Sequence, residues 1–350
     1  MNKYVIYVFL IVLILTTSLY GHIDNYLLPE DCGSCHTGHG LKNEPMLNHS
    51  EEKLCYQCHS DESKRSQMKT SGRLAEEAVL ANIETEFNKT YRHPVKSGTG
   101  HKPGEKLDNM SAASINHSEC VDCHNPHTRT NATNKHEVSG ISLSGNYLET
   151  ATEEFEVCFK CHANTKSLKS YSKNIRRSFA LSNRSQHPVT KDISTIKSVS
   201  LNMASNFSSA MKCSDCHTND NKNGPKGPHG SRHKYLLSGN YDTDIYNTES
   251  SYAYEFCYSC HDRLSILSNN SFPLHKEHVV GDPLKNIKGT SCFTCHSSHS
   301  SETYEHLIGF NQEAVGADDN TKKISYQSNG TNSGECTLLC HGYSHTSAKY

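Results

Sequence analysis

The chain contains no tryptophan, and only 34% of its 350 residues are hydrophobic. Serine, asparagine and lysine are abundant instead. A polypeptide with so few large apolar side chains buries too little surface to offset the entropy lost on folding. The composition therefore excludes a conventional large apolar core and predicts that another component supplies much of the interior.

The sequence also lacks a charge excess and a long apolar run. Lys and Arg total 35 against 37 Asp and Glu, so nothing favours binding to nucleic acid. The apolar stretch from Tyr4 to Leu15 is shorter than the ~20 residues that span a bilayer. Its charged start and small exit residues predict a secretory signal peptide over residues 1–21, with an uncleaved anchor as the alternative. We therefore expect an exported mature chain, periplasmic or extracellular at the cell surface, with no stable membrane span.

Cysteine, by contrast, is plentiful, and its sixteen copies form eight motifs with none left over. Seven motifs are Cys-x-x-Cys-His, and the eighth has three residues between its cysteines. In such motifs both thiols form thioethers to haem c and the histidine ligates the iron. Zinc sites, thiol redox pairs and structural disulfides do not need a histidine after every second cysteine. The sequence predicts eight haems attached through Cys32, Cys35, Cys55, Cys58, Cys120, Cys123, Cys158, Cys161, Cys213, Cys216, Cys257, Cys260, Cys292, Cys295, Cys336 and Cys340.

The motifs come in pairs, and the pairs recur four times, beginning at Cys32, Cys120, Cys213 and Cys292. Such repetition is typical of one supersecondary unit stacked in series. We predict paired-haem repeats over residues 22–115, 116–210, 211–288 and 289–350. The predicted fold class is a multihaem cytochrome c, mostly irregular coil with short α-helices around closely packed haems and little or no β-sheet. One amphipathic helix is expected over residues 74–87.

Two histidines per haem are predicted to hold the iron. The eight that end the motifs bind from one side: His36, His59, His124, His162, His217, His261, His296 and His341. Alignment of the repeats supplies one candidate per haem for the other side: His39, His93, His127, His187, His229, His278, His299 and His345. The third repeat lacks a histidine directly after its first motif, and we interpret His229 as the displaced equivalent. The distance from Phe272 favours His278 over His275.

Other histidines remain as alternatives for the second set. They are His49, His117, His136, His233, His275 and His306. A histidine three residues after His36 cannot reach the opposite face of the same haem. His39 is therefore expected to ligate another haem, most simply the partner within its pair, and the same holds for His127 and His299. The six methionines follow no repeat, so every iron is predicted to be bis-His, which favours low potentials.

Several segments resemble multihaem cytochromes with doubled Cys-x-x-Cys-His motifs from metal-respiring anaerobic bacteria. They are residues 119–127, 213–217, 227–231, 272–278 and 336–342. The resemblance runs from about Cys32 to the C-terminus. It implies electron carriers of the periplasm or surface, with bis-His haems in alternating parallel and T-shaped pairs. Some similar proteins assemble into filaments.

The predicted function is electron transfer in anaerobic or extracellular respiration, without catalytic residues. Expected partners are redox cytochromes and an extracellular acceptor such as a mineral, an electrode or another cell. End-to-end assembly into a filament is a subsidiary prediction, with His22 as a donor to the next subunit. The alternative is an octahaem reductase of nitrite, hydroxylamine or tetrathionate, which would need one five-coordinate haem.

Overall fold

A computed structural model describes residues 28–37, 46–95, 118–127, 137–163, 174–192, 200–202, 210–330 and 332–350. The expected signal peptide and His22 lie outside these residues, as do His39, His117 and His136. All sixteen cysteines and all eight motif histidines lie within them. The motifs are numbered 1 to 8 in chain order below.

The helices of the described residues are short, and most contain or adjoin a motif. They are α1 (Glu51–Cys58), α2 (Glu62–Thr70), α3 (Cys120–Cys123), α4 (Glu154–His162), α5 (Ile175–Ser178), α6 (Cys213–Cys216), α7 (Glu255–Tyr258), α8 (Arg263–Leu267), α9 (His275–Val280) and α10 (Cys292–Cys295). Single 3₁₀ turns cover Asp31–Ser34, Glu86–Asn88, Lys234–Leu236 and Pro283–Lys285.

The helix expected over residues 74–87 does not form. Two backbone donors of this segment, the N–H groups of Ile83 and Glu84, bind the carbonyl of His59 at 3.0 and 3.1 Å instead of the preceding turn. Leu74, Ala78 and other apolar side chains are still buried, but from an irregular chain. Contact with motif 2 thus overrides the local helical preference.

The prediction of mostly irregular coil with little or no β-sheet is wrong. The described residues form thirteen strands in five antiparallel sheets. The strands are β1 (Tyr91–Arg92), β2 (Gly140–Ile141), β3 (Tyr147–Leu148), β4 (Ser185–Gln186), β5 (Gly230–Ser231), β6 (Tyr246–Asn247), β7 (Gly281–Asp282), β8 (Ile287–Thr290), β9 (Ser300–Ser301), β10 (Val315–Gly316), β11 (Ser325–Gly330), β12 (Ser333–Cys340) and β13 (Tyr343–Lys349). Nine of them have two residues, too few to show the alternation of polar and apolar residues by which strands are recognised.

Two of the two-residue ladders join repeats that are not neighbours in sequence. Strand β1 of the first repeat pairs with β5 of the third, with Arg92 opposite Gly230. Strand β4 of the second repeat pairs with β9 of the fourth, with Gln186 opposite Ser300. The same kind of ladder therefore recurs one repeat further along the chain. Each ladder lies next to two histidines, His93 and His229 in the first case and His187 and His299 in the second.

The apolar interior is divided into small clusters that include motif cysteines. Phe159, Phe179 and Val189 pack with Cys213 and Cys216. A second cluster contains Tyr56, Phe87, Val95 and Cys120, and a third contains Tyr254, Val279, Cys257 and Cys292. Each cluster brings residues of one repeat against a motif of the next, so the interior follows the row of motifs.

Candidate haem attachment and ligand sites

Motifs 1 to 7 share one backbone geometry, a helical turn from the first cysteine to the histidine. The histidine N–H donates to the carbonyl of the first cysteine at 2.8 Å in motif 1 and at 2.9 Å in motifs 2, 3, 5, 6 and 7. Motif 4 forms the last turn of α4, which ends at His162. Residues three apart in such a turn lie on one face with Cβ atoms about 5–6 Å apart. These cysteine pairs therefore fit the two attachment points of one haem.

Motif 8 has a different geometry. Cys336 and Cys340 lie on the extended strand β12, and His341 occupies the turn that leads to β13. The φ angle of His341 is +55°, whereas the motif histidines His124 and His217 have φ angles of −125° and −93°. Motif 8 does not fit haem attachment in the way that the other seven motifs do.

The cysteines of successive motifs are neighbours in space. Between repeats, the thiol of Cys55 lies close to that of Cys120, the thiol of Cys158 to that of Cys213, and the thiol of Cys257 to that of Cys292. Within repeats, Cys35 lies near Cys58, Cys123 near Cys158 and Cys161, and Cys216 near Cys260. The thiol contact and burial raise the pKa of Cys158 and Cys257 well above the usual value. The attachment sites thus follow one another in chain order. The second cysteines of two motifs approach each other within a repeat, and the first cysteines approach each other between repeats.

A half-buried glutamate joins the repeats at two of these junctions. Glu154 of α4 accepts the N–H of Ser214 at 2.7 Å and its hydroxyl at 2.8 Å. Glu51, the equivalent residue of α1, accepts the N–H of Val121 at 3.0 Å, and burial raises the pKa of this glutamate to about 7. Both glutamates stand four residues before the first cysteine of a second motif, a repeated signal that the sequence analysis missed.

Among the described residues, five motif histidines each face a second imidazole across a gap. With nitrogen–metal bonds of about 2 Å, as in imidazole complexes of zinc, two rings on opposite faces of one metal have centres about 6 Å apart. The observed pairs and ring-centre distances are His36 and His127 at 6.0 Å, His124 and His229 at 6.1 Å, His93 and His162 at 6.2 Å, His217 and His299 at 6.2 Å, and His275 and His296 at 6.3 Å. The spacing leaves room for one atom between each pair of rings.

The ladder between β1 and β5 presents two of these histidines side by side. The N–H of His93 donates to the carbonyl of His229 at 3.4 Å, directly after the paired strand residues. His93 faces motif 4 and His229 faces motif 3, and both motifs belong to the second repeat. The two motifs of the second repeat are therefore faced by one histidine from the first repeat and one from the third.

The ladder between β4 and β9 repeats this arrangement for the third repeat. The N–H of His187 donates to the carbonyl of His299 at 3.0 Å. His299 faces His217 of motif 5, and His187 is an electrostatic neighbour of His261 of motif 6. Here the flanking histidines come from the second and fourth repeats.

Backbone carbonyls orient several of the rings through Nδ1. His93 donates from Nδ1 to Pro228 at 2.6 Å and His187 to Ser298 at 2.7 Å. Such a bond to Nδ1 leaves Nε2 as the ring nitrogen that can ligate a metal. Burial also lowers the pKa of His162, His229 and His261 to about 4, which favours the neutral form that binds metals.

The histidines of motifs 5 and 7 are oriented by carbonyl groups from the loop between the two motifs of their repeat. His217 Nδ1 donates to the carbonyl of Tyr235 at 2.7 Å, and His296 Nδ1 to the carbonyl of His306 at 2.9 Å. Both acceptor residues have left-handed backbones, with φ of 63° and 56°. Met46 and Glu137 of the first two repeats, at φ of 50° and 49°, occupy the same kind of position between the two motifs. His306, an alternative ligand in the sequence analysis, thus contributes its carbonyl oxygen to a neighbouring motif histidine.

The remaining candidates are placed as follows. His275, not His278, faces His296, and its Nδ1 lies 3.0 Å from the Ser271 hydroxyl. His278 lies near His345, which is also a neighbour of His341.

Two family models match the chain. Residues 142–308 match the model for outer membrane cytochromes of the MtrC/MtrF-like kind, domains II/IV. Residues 28–64 match the model for the doubled CXXCH motif. The first match covers motifs 4 to 7, and the second covers motifs 1 and 2. This chain is a multihaem c-type cytochrome.

The multihaem cytochrome transports electrons, as the matched family models indicate. No curated protein and no solved structure matches it. Across the described ranges, no helix is long and apolar enough to cross a membrane. In those same ranges no group of three or more His, Cys, Asp or Glu side chains is arranged to hold a metal ion.

Proposed function

We propose that this cytochrome carries electrons along a row of bis-His haems that follow one another in chain order. The observation that carries the proposal is the bracketing of motifs 3 and 4 by the adjacent histidines His229 and His93. Bound haem c supplies a reversible one-electron couple at each iron. The protein's residues tether, ligate and orient the haems.

The ligand assignment follows the facing rings for motifs 1, 3, 4, 5 and 7, and the proximity of His187 to His261 for motif 6. The second ligand of the iron would be His127 at motif 1, His229 at motif 3 and His93 at motif 4. It would be His299 at motif 5, His187 at motif 6 and His275 at motif 7. In this scheme each inner repeat obtains both of its second ligands from its neighbours, rather than from within its own pair.

The interlocking of repeats suits fast electron transfer. A ligand that is fixed by a β-ladder and by an Nδ1–carbonyl bond keeps the same place in both redox states, so little reorganisation accompanies each step. The alternating contacts of first and second cysteines keep neighbouring attachment sites close. Two imidazoles per iron leave no coordination position for a substrate and favour low potentials.

The proposed location and partners rest on the expected export of the chain and on its similarity to outer membrane cytochromes. An exported chain similar to outer membrane cytochromes would receive electrons from other redox cytochromes. It would pass them to an acceptor outside the cell, such as a mineral, an electrode or another cell. A row of haems is also compatible with end-to-end assembly into filaments, with His22 as a donor to the next subunit.

Spin state and carbon monoxide binding of the purified holoprotein test the proposal. Electron paramagnetic resonance is expected to show only low-spin ferric haem, and carbon monoxide is expected to leave the spectrum of the reduced protein unchanged. Potentiometric titration should show full reversible reduction at negative potentials. A reactive high-spin haem that turns over nitrite, hydroxylamine or tetrathionate would instead establish the reductase alternative.

A further inference from the structure

Motif 8 differs from the other seven motifs in the distance between its cysteines. Strand residues rise by about 3.3 Å each, so Cys336 and Cys340 are about 13 Å apart along β12, less a small correction for a bulge. In motifs 1 to 7 the corresponding Cβ distance is about 5–6 Å. One macrocycle cannot span both cysteines of motif 8 while the strand remains extended.

Both cysteines are held on either side by neighbouring strands. Cys336 pairs with Tyr326 of β11 and with Ala348 of β13. Cys340 pairs with Val315 of β10 and with Tyr343 of β13. Forming a helical turn at motif 8 would therefore break ladders on both edges of β12.

The connection from β12 to β13 is itself a favourable hairpin turn. His341 and Gly342, with φ of +55° and +73°, link the paired residues Cys340 and Tyr343. Two left-handed residues with glycine second are typical of the type I′ turn, whose twist matches that of the strands. The histidine that should ligate iron thus occupies a turn position that supports the sheet.

Two further contacts hold the sheet in place. Asp318, which is fully buried, accepts hydrogen bonds from the hydroxyls of Thr321 and Thr346, both at 2.7 Å, and from Ser344. Tyr350 at the C-terminus packs edge-on against Phe272 with ring centres 4.4 Å apart.

The contact between Tyr350 and Phe272 connects the sheet to the proposed ligands of motif 7. Phe272 in turn contacts His275 at 5.0 Å, and His275 faces His296. The sheet therefore lies against the second-ligand side of motif 7.

We propose that motif 8 is not a haem attachment site in the folded protein, and that β10 to β13 form a sheet that ends the row at motif 7. The mature protein then carries seven haems and retains Cys336 and Cys340 without thioether bonds. This inference rests on the proposed function, because it concerns the length of the same row. The first seven motifs provide the internal comparison, since all of them keep the attachment geometry that motif 8 lacks.

Intact mass spectrometry of the holoprotein counts the haems directly. A mass equal to the polypeptide plus seven haems supports the proposal, and a mass with eight haems overturns it while leaving electron transfer along the row intact. A protein without covalent haem would overturn the proposed function itself. The three results are therefore distinguishable in one experiment.

Chemical modification and matched variants supply a second readout. After denaturation and reduction, iodoacetamide should modify two cysteines, and peptide mapping should locate them at Cys336 and Cys340. The C336S/C340S double variant should keep the wild-type haem count, whereas C292S/C295S should lose one haem. Loss of a haem from C336S/C340S, or the absence of modifiable thiols, would contradict the proposal.

Discussion

The imidazole rings of His36 and His127 lie opposite each other, 6.0 Å apart and within 13° of parallel, although the two residues belong to different repeats. His127 follows motif 3, so the second repeat supplies the ring that faces motif 1. The same displacement by one repeat recurs for His229 opposite His124 and for His299 opposite His217. The second repeat thus supplies the histidine that faces the first motif of the first repeat. The third and fourth repeats do the same for the second and third.

Replacing His127 is expected to open one haem while leaving it attached. In His127→Ala the iron of motif 1 loses its second axial ligand, so the reduced protein should bind one equivalent of carbon monoxide. The haem count by mass should be unchanged. His233→Ala is the control, because His233 belongs to none of the five facing pairs, and it should bind none. Equal spectra for wild type and His127→Ala would contradict the assignment.

His275 and His278 offer a direct comparison at motif 7. Because His275 faces His296 at 6.3 Å, His275→Ala is expected to produce one high-spin haem. His278→Ala is expected to leave all haems low-spin, since His278 lies beside the residues of motif 8. Electron paramagnetic resonance of both variants decides between the two histidines. A high-spin haem in His278→Ala but not in His275→Ala would show that His278, the ligand favoured by sequence spacing, binds the iron of motif 7.

Gly230→Ala is expected to disturb the ladder that carries His93 and His229. A Cβ atom at this position would lie 1.9 Å from the carbonyl oxygen of Glu86, so the backbone would have to move. We expect a loss of about 1–3 kcal/mol of stability, the usual cost of overpacking. We also expect carbon monoxide binding at motifs 3 and 4.

Gly316→Ala provides the control for this backbone effect. The nearest atom to its added Cβ would be at 3.7 Å, an ordinary contact. Its unfolding midpoint and its carbon monoxide binding should match those of the wild type. A Gly230→Ala protein with wild-type stability and spectra would show that the ladder does not position the ligands.

Glu51 is expected to make stability depend on pH. Burial raises the pKa of Glu51 from 4.5 to about 7 in the folded protein, so the folded state binds this proton more tightly than the unfolded state. The resulting stabilisation is fully present below pH 4.5 and is lost as the pH rises towards and above 7. Glu51→Gln, which keeps an acceptor for the Val121 N–H, should remove this dependence.

Thermal unfolding at pH 5 and pH 8 measures the effect. The unfolding midpoint of Glu51→Gln should fall less between the two pH values than that of the wild type. Glu77→Gln, a change at an exposed glutamate, should follow the wild-type curve. Parallel curves for Glu51→Gln and wild type would exclude the Glu51 carboxyl as the cause.

The chemistry of this protein could be predicted from sequence because it depends on local patterns. The motifs and their pairing follow from short spacings, and the prediction of histidine as the ligand type rests on the same spacings. The partner of each ligand could not be predicted, since it depends on which repeats meet in space. His127 is close in sequence to motif 3 and yet faces His36 of motif 1, and nothing in its local sequence marks that partner.

The fold class was predicted wrongly for a related reason. Motif 8, whose cysteines lie on β12, is a longer form of the motif that makes a helical turn at the other seven sites, so a helix is the natural expectation. Tyrosine in β11 and tyrosine and threonine in β13 favour extended structure, and pairing on both edges of β12 decides the outcome. The two glutamates at positions 51 and 154 were recognisable by their equal spacing from the following cysteine.

A reconstruction of the holoprotein that resolves each iron and its two axial nitrogens tests the central claim most directly. The account predicts that His93 and His229 bind the two irons of the second repeat, and that His127 binds the iron held by His36. If His127 instead closes the iron held by His162, within its own repeat, the interlocking of repeats proposed here is wrong.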